Sequence, residues 1–238
     1  MSKLYFKSIF FILFISLSSC AELQQVVNTL PSGTLSNTDI ASGLKQALDK
    51  GIDEQVKKLT LENGFYGNSL VKIGLPDELQ KVDKGLRDIG LSKLADEGIK
   101  ILNRAAEDAV SEATPIFVEA VKGITFTDAK NILLGEDNAA TEFLKTGTAD
   151  ALYAKFEPVI KTSFDKVGAD KIWANLINKY NTIPFVKKVN PDLTNYVTQE
   201  ALNGVYTMIA VEEKEIRTNA SSRTTDVLRK VFALQDGR

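Results

Sequence analysis

After residue 37, apolar residues recur every three or four positions almost without interruption, and that regularity constrains the fold more than any other feature of the chain. A spacing near 3.6 puts such residues on one stripe of a helix, whereas a half-buried strand needs strict alternation. Ser36 to Asp39 is a helix-start signal in which each side chain can bond the other's backbone N–H. Ile40, Leu44, Leu48, Ile52, Val56 and Leu59 then share one stripe. Gly64, Gly67 and Gly74 interrupt the pattern, which predicts a loop or a short extended excursion from Phe65 to Leu75. Pro76 falls where a helix tolerates proline, in its first turn. Leu79, Val82, Leu86 and Ile89 carry that helix to Gly90, and Leu94, Ile101, Leu102, Ala105, Ala109 and Val110 carry a longer one over residues 91–113.

Thr114-Pro115 restarts the chain, and Thr125 and Thr127 cap a short segment that stops at Leu134-Gly135. Gly135-Glu136-Asp137-Asn138 reads as a helix stop followed by a helix start, without the ligand spacing of a calcium loop. Further helices are expected over 138–146, 149–167 and 170–181, with a loop bracketed by Pro184 and Pro191. Two more are expected at 192–218 and 223–234. Alternating segments joined by hairpin turns are nearly absent. No fixed-length repeat supports a solenoid. The expected fold is therefore all-α: a single domain over 38–238, built from about eight to ten short and medium helices and long enough to bury a sizeable core.

Composition then removes whole classes of chemistry. The 238 residues include no histidine and one cysteine. A Ser-His-Asp triad, an imidazole base and a histidine-ligated transition metal are excluded. So are an internal disulfide and a Cys-x-x-Cys redox pair. With 29 basic and 31 acidic residues, the net charge of −2 gives no basic face for nucleic acid. No Walker loop, dinucleotide fingerprint or Gly-x-Ser-x-Gly elbow occurs, so Ser69 and Ser163 have no nucleophile context.

The lone cysteine has an address. Residues 1–19 join Lys3 and Lys7 to an apolar run from Ser8 to Leu17, then Ser18 and Ser19. This is the order of a secretory signal, too short in its apolar part for a spanning helix, which needs about 20 residues. Leu17-Ser18-Ser19-Cys20 resembles the bacterial lipobox, which implies cleavage between Ser19 and Cys20 and lipid on Cys20. Several acyl chains on one cysteine would hold it in a membrane where a single chain would not. Cleavage removes Lys3 and Lys7, so the mature chain keeps 27 basic residues against 31 acidic ones. Residues 20–37, rich in Ser, Thr and Asn with Pro31 and Gly33, read as anchor and spacer. About 17 extended residues reach at most roughly 55–60 Å. By resemblance to bacterial lipoprotein sorting, Ala21 rather than Asp after the cysteine points to the inner leaflet of the outer membrane.

Candidate binding residues form two groups. Phe65 and Tyr66 are adjacent aromatics in a glycine-rich loop, where binding residues concentrate; packing of the loop onto the domain is the alternative use. Arg104 and Glu107 lie three apart on one helical face, among Glu97, Asp108 and Glu112. These acids could face an oxygen-ligated cation or pair with basic neighbours; no metal ligand set and no cofactor is assigned. In the second group, Tyr196 and Glu200 share a face, and Glu212 and Glu213 lie near Arg217, with Glu213 and Arg217 in the favourable i,i+4 order. Two carboxylates on different helices are the vocabulary of glycoside cleavage. Tyr153, Phe156, Phe164, Trp173 and Tyr180 fit either core packing or a ligand cleft. Asn219-Ala220-Ser221 falls in the turn before the last helix.

One larger pattern remains. Arg104-Ala105-Ala106-Glu107, Thr114-Pro115-Ile116-Phe117, Thr127-Asp128-Ala129 with Ile132-Leu133, and Ala139-Ala140-Thr141 occur in order. Asp192-Leu193, Tyr196-Val197-Thr198, Ala201-Leu202-Asn203-Gly204, Ile209-Ala210-Val211-Glu212-Glu213, Ile216-Arg217 and Val231-Phe232 follow. Together they resemble a family of Gram-negative, periplasmic, all-helical lipoproteins known as a domain of unknown function. Where that family has Arg-Ile-Pro-Leu-Pro, this chain has Val71-Lys72-Ile73-Gly74-Leu75-Pro76. The resemblance implies fold and compartment and carries no catalytic residue. The sequence therefore leads to a lipid-anchored envelope protein that binds another envelope protein or a small ligand, with a carboxylate-based cell-wall hydrolase as the alternative.

Overall fold

The computed structural model describes residues 36–88, 90, 92–167 and 192–236, with 173–174, 177–178, 181–182, 184–185 and 187–188 between the last two. The signal segment with Ser19 and Cys20, most of the spacer, and Ile89, Leu91, Tyr180 and Pro191 lie outside the described residues, as do the side chains of Leu86 and Leu94. Among the described residues there are eight α-helices and no strands.

Helix α1 spans Asn37–Thr60 and starts as its sequence signal requires. The Ser36 hydroxyl accepts from Asp39 N at 3.1 Å while Ser36 N donates to Asp39 Oδ2 at 2.8 Å. Leu44, Leu48, Ile52, Val56 and Leu59 are all buried on the stripe. Helix α2 spans Asp77–Asp88 and ends at Gly90, whose φ of 82° lies in the left-handed region that glycine adopts without a steric cost. Helix α3 covers Ser92–Val110, α4 Ala113–Lys122, and α5 Phe126–Leu134. Pro115 falls in the first turn of α4, where its missing N–H has no helical partner to lose. Thr125 and Asp128 repeat the reciprocal cap at the start of α5.

Helix α6 corrects one expectation. In place of two helices over 138–146 and 149–167, the chain forms one continuous helix, Ala139–Val167. A glycine inside a helix costs about 1 kcal/mol, and tertiary packing outweighs that at Gly147. The next residue, Thr148, is buried and its hydroxyl donates to Leu144 O at 2.6 Å, which leaves Tyr206 to donate to Thr148 at 2.8 Å. Pro158 is inside the same helix and lies on its exposed face, as does Ala154, whose carbonyl loses its helical N–H donor to the proline. Helix α7 spans Thr194–Thr218, a 3₁₀ turn follows at Ala220–Ser222, and α8 spans Asp226–Phe232. Asn219 caps the 3₁₀ turn by accepting from Ser221 N at 3.1 Å, so the sequon lies in the expected turn.

Helix α7 packs against α6, α3 and α1, while α6 also contacts α3 and α4. Helix α1 carries α4, α5 and α8 along its other sides. At the centre, Phe117 and Tyr206 meet edge to face with ring centroids 6.0 Å apart, a favoured aromatic geometry. Burial pushes the Tyr206 phenol above its usual pKa. No helix among the described residues is long and apolar enough to cross a membrane.

Candidate functional site

The loop between α1 and α2, residues 61–76, brings four of the expected binding residues together. Tight turns close it from Gly64 N to Leu61 O and from Gly67 N to Asn63 O, both 2.8 Å. Asn63 takes the left-handed conformation, φ 63°, that asparagine tolerates. Phe65 and Tyr66 then point to opposite sides. Phe65 is completely buried, and its ring lies so close to α7 that a Cβ built on Gly204 would be 2.5 Å from Phe65 Cε1. This corrects the expectation of an exposed aromatic pair, since only Tyr66 remains at the surface. The lost exposure has a simple cause: Gly204 opens a slot on α7, and a ring that fills it is removed from water.

Two polar side chains one turn apart on α3 lock the loop in place. Glu107 is buried and accepts from Phe65 N at 3.2 Å. Asn103, also buried, accepts from Ile73 N and donates to Ile73 O, each at 2.8 Å, as a neighbouring strand would. Its amide also donates to Ile99 O at 2.8 Å. From α7, the Tyr196 hydroxyl donates to Gly74 O at 3.1 Å. The loop is thus fixed from both flanks, and its backbone conformation is specified by side chains 30 to 122 residues away.

Tyr66 has two lysines at its ring. Lys72 Nζ is 4.0 Å from the ring centroid and Lys100 Nζ is 5.7 Å, distances at which an ammonium is attracted to the π face. Arg104, one turn after Lys100, is half exposed and bonds Glu107 at 3.2 Å and Asp108 at 3.1 Å. Asp108 in turn accepts from Ser163 Oγ at 3.0 Å, which assigns that serine a structural partner. Glu97 lies 3.9 Å from Lys100. No group of three or more acidic or thiol side chains suited to a metal ion occurs among the described residues.

The second expected group divides. Tyr196 stays at the loop, while Glu200 accepts from Asn203 on its own helix at 3.3 Å. Arg217 lies 17 positions beyond Glu200 on the same helix, about 25 Å along its axis. There it forms a buried ion pair with Glu213, Nη2 to Oε1 at 2.7 Å and Nε to Oε1 at 3.0 Å. The pair acts as a double helix cap. Glu213 accepts from Ala140 N, Thr141 N and the Thr141 hydroxyl, each at 2.8 Å, satisfying the open N-terminus of α6. Arg217 donates to Ile132 O at 2.8 Å and Leu133 O at 3.3 Å, satisfying the open C-terminus of α5. The α5–α6 corner is therefore held by one side-chain pair from α7. Leu133 O also accepts from Gln235.

Arg223 repeats the device at the end of α7. It donates to Ile216 O at 3.0 Å and Arg217 O at 2.9 Å, and it pairs with Asp236 through two contacts of 2.6 and 2.7 Å. That guanidinium holds the Asp236 carboxyl below the usual carboxylate range. The Arg217 and Arg223 guanidiniums each lie 6.0 Å from the centroid of the Phe232 ring. Glu212 accepts from Gln55 at 2.7 Å. A cavity of about 20 Å³ adjoins this corner, lined by Leu44, Ile52, Glu213, Arg217 and Phe232 among others. It has room for about one water, far below the roughly 300 Å³ of a ligand pocket.

The aromatic group resolves toward packing. Phe156, Phe164 and Trp173 are buried in the core, and Tyr153 is half buried with its hydroxyl 2.9 Å from Asn195 Oδ1. Sequence reasoning missed Asn103 altogether, since an asparagine in a helix carries no signal of a partner 30 residues earlier. It also missed Arg223, although an arginine just after a helix end is a recognisable carbonyl cap.

Comparison with known proteins gives one result. The family described as protein of unknown function (DUF4197) matches residues 34–233, nearly the whole of the helical domain, and the chain belongs to that family. No curated protein and no solved structure matches the chain.

Proposed function

We propose that this DUF4197 protein is a lipid-anchored periplasmic protein that acts by binding an envelope component at its surface, through the α1–α2 loop. The lipobox ending in Cys20 supports the anchor, with cleavage after Ser19 and attachment to the inner leaflet of the outer membrane. Residues 20–37 serve as the tether, and the family match that begins at residue 34 supports a domain starting at the α1 cap.

The observation that carries the binding surface is Tyr66. A ring with polar character, flanked by Lys72 and Lys100 and mounted on a loop locked by Asn103, Glu107 and Tyr196, is preorganised for contact. Tyrosine is among the residue types enriched in the few positions that carry most of the binding energy of an interface, and a preorganised loop lowers the cost of ordering it. Of the carboxylates considered for catalysis, Glu213 is committed to the N-terminus of α6 and Glu212 accepts from Gln55. The bound species is another envelope protein or a small ligand that stacks on the Tyr66 ring.

In-cell crosslinking of the full chain from a photoreactive residue at position 66 tests this reading. A discrete crosslinked partner, weakened in a Cys20→Ala variant, is the expected result. An anchored protein that yields no adduct from position 66 overturns the assignment of the loop.

A further inference from the structure

Two ammonium groups meet at the Tyr66 ring because the backbones that carry them are fixed. Lys100 lies on α3, one turn before Asn103 and Arg104. Lys72 lies on the loop, and its N–H donates to Asn68 O at 2.9 Å. The next residue, Ile73, is pinned through both N and O to the buried Asn103 amide, and Gly74 O accepts from the Tyr196 hydroxyl. With Nζ atoms 4.0 and 5.7 Å from the ring centroid, the two charges lie within about 10 Å of each other, one Debye length at 0.1 M salt. Like charges that close repel, and the locked loop keeps the Lys72 backbone from moving away. The protein neutralises them incompletely. Arg104 is paired with Glu107 and Asp108, and Lys100 meets Glu97 at 3.9 Å in an exposed contact of the kind that contributes little. Lys72 is exposed and meets no carboxylate among the described residues, and the Tyr66 hydroxyl has no hydrogen-bond partner among them.

We propose that Lys72, Lys100 and the Tyr66 hydroxyl form a binding site for a phosphate monoester. The inference rests on the reading of the α1–α2 loop as a binding surface, and it names the chemistry of what that surface takes. A phosphate monoester carries about 1.5 to 2 negative charges at pH 7 and three strong acceptor oxygens. One such group therefore answers both ammoniums and the phenol at once, and lysine is a regular point-charge ligand of phosphate. A carboxylate supplies a single charge and leaves the second lysine uncompensated. The flexible stems of both lysines let each Nζ leave the ring for an oxygen without moving the locked backbone. Leu61 and Leu70 are exposed on the same loop, so the phosphate has two sources: a soluble ester, or a lipid headgroup whose chains meet those leucines.

The test follows the backbone amides of the full-length, isotope-labelled protein by NMR in neutral detergent micelles. Inorganic phosphate is titrated against sodium acetate and sodium chloride at equal ionic strength. Saturable shifts confined to the amides of residues 66–73 and of α3 around Lys100, produced by phosphate, are expected. Lys72→Gln with Lys100→Gln should weaken that binding at least about tenfold, since both charged contacts are removed. Lys161→Gln, an exposed lysine on α6, should leave it unchanged. Phosphatidic acid doped into the micelles distinguishes the sources. The same shifts at lipid levels below those needed for inorganic phosphate assign the site to a headgroup, and shifts with inorganic phosphate alone assign it to a soluble ester; both support the site. Equal shifts with chloride, tighter binding of acetate, or phosphate binding that survives the double variant overturns the proposal. A crosslinked partner from position 66 without phosphate-specific shifts overturns it as well and keeps the loop as a protein-binding surface. Phosphate-specific shifts without any such adduct keep the phosphate site and remove the envelope protein as the bound species.

Discussion

In a Glu213→Ala variant, Ala140 N, Thr141 N, the Thr141 hydroxyl and two nitrogens of Arg217 lose their acceptor together. Removing one partner of a buried ion pair costs about 3–5 kcal/mol, because the remaining charge stays desolvated. Each dry, unpaired amide would add about 1–3 kcal/mol, but water admitted to the vacated space reduces that share. A loss of about 3–5 kcal/mol is therefore expected. For a domain of this size it lowers Tm by about 6–20 °C, at about 2–4 °C per kcal/mol. Urea and thermal unfolding followed by circular dichroism supply the measurement, with Glu215→Ala as the exposed control, expected within about 0.5 kcal/mol of the parent. Replacing the pair by Glu213→Leu with Arg217→Met separates capping from simple ion pairing. A buried pair without further duties can be exchanged for apolar residues at little cost. Here the Ile132 and Leu133 carbonyls and the Ala140 and Thr141 amides would be stranded, so the double variant should remain about 2 kcal/mol or more below the parent. A Glu213→Ala loss below about 1 kcal/mol, the range of an exposed pair, or a double variant as stable as the parent, would refute the capping role.

Three further perturbations address the loop and the caps. Gly204→Ala would put a methyl 2.5 Å from the Phe65 ring and should cost about 1–3 kcal/mol, partly recovered by Phe65→Leu; an unchanged urea midpoint contradicts the packing. Asn103→Ala leaves Ile73 N and O buried without their partner, for a loss of about 2–4 kcal/mol and faster exchange of the Ile73 amide; undiminished protection of that amide contradicts the lock. Asp39 and Asp128 are held below the usual carboxylate range by hydrogen bonds from Ser36 and Thr125. Because their folded pKa values are depressed, their stabilisation is present above the unfolded value, about pH 4, and is lost as pH falls through the lower folded values. Tm should drop on that acid side, and Asp39→Asn with Asp128→Asn should flatten the drop; identical pH profiles for parent and variant would contradict it.

How much of this was readable from the sequence depends on how local each cause is. The α1 stripe and the Ser36 and Thr125 caps are set by residues within one or two turns, and the structure places them as the spacing predicts. The break expected near Gly147 failed because Thr148 is buried against Tyr206, 58 residues later, and that packing outweighs a local propensity. At the site, the i,i+4 order of Glu213 and Arg217 was visible, but the carbonyls and amides they satisfy are 72 to 85 residues away. Phe65 and Tyr66 were recognisable as a pair, whereas their opposite orientations depend on the slot at Gly204. Charge pairing along one helix shows in a sequence; the backbone ends it serves do not.

The most direct test of the proposed attachment is the intact mass of the full-length protein extracted from the membranes of the cells that make it. A mature chain that begins at Cys20 and carries a thioether-linked diacylglyceryl group is the expected result. A chain that retains residues 1–19, or one recovered from the soluble fraction with an unmodified Cys20 thiol, would contradict it.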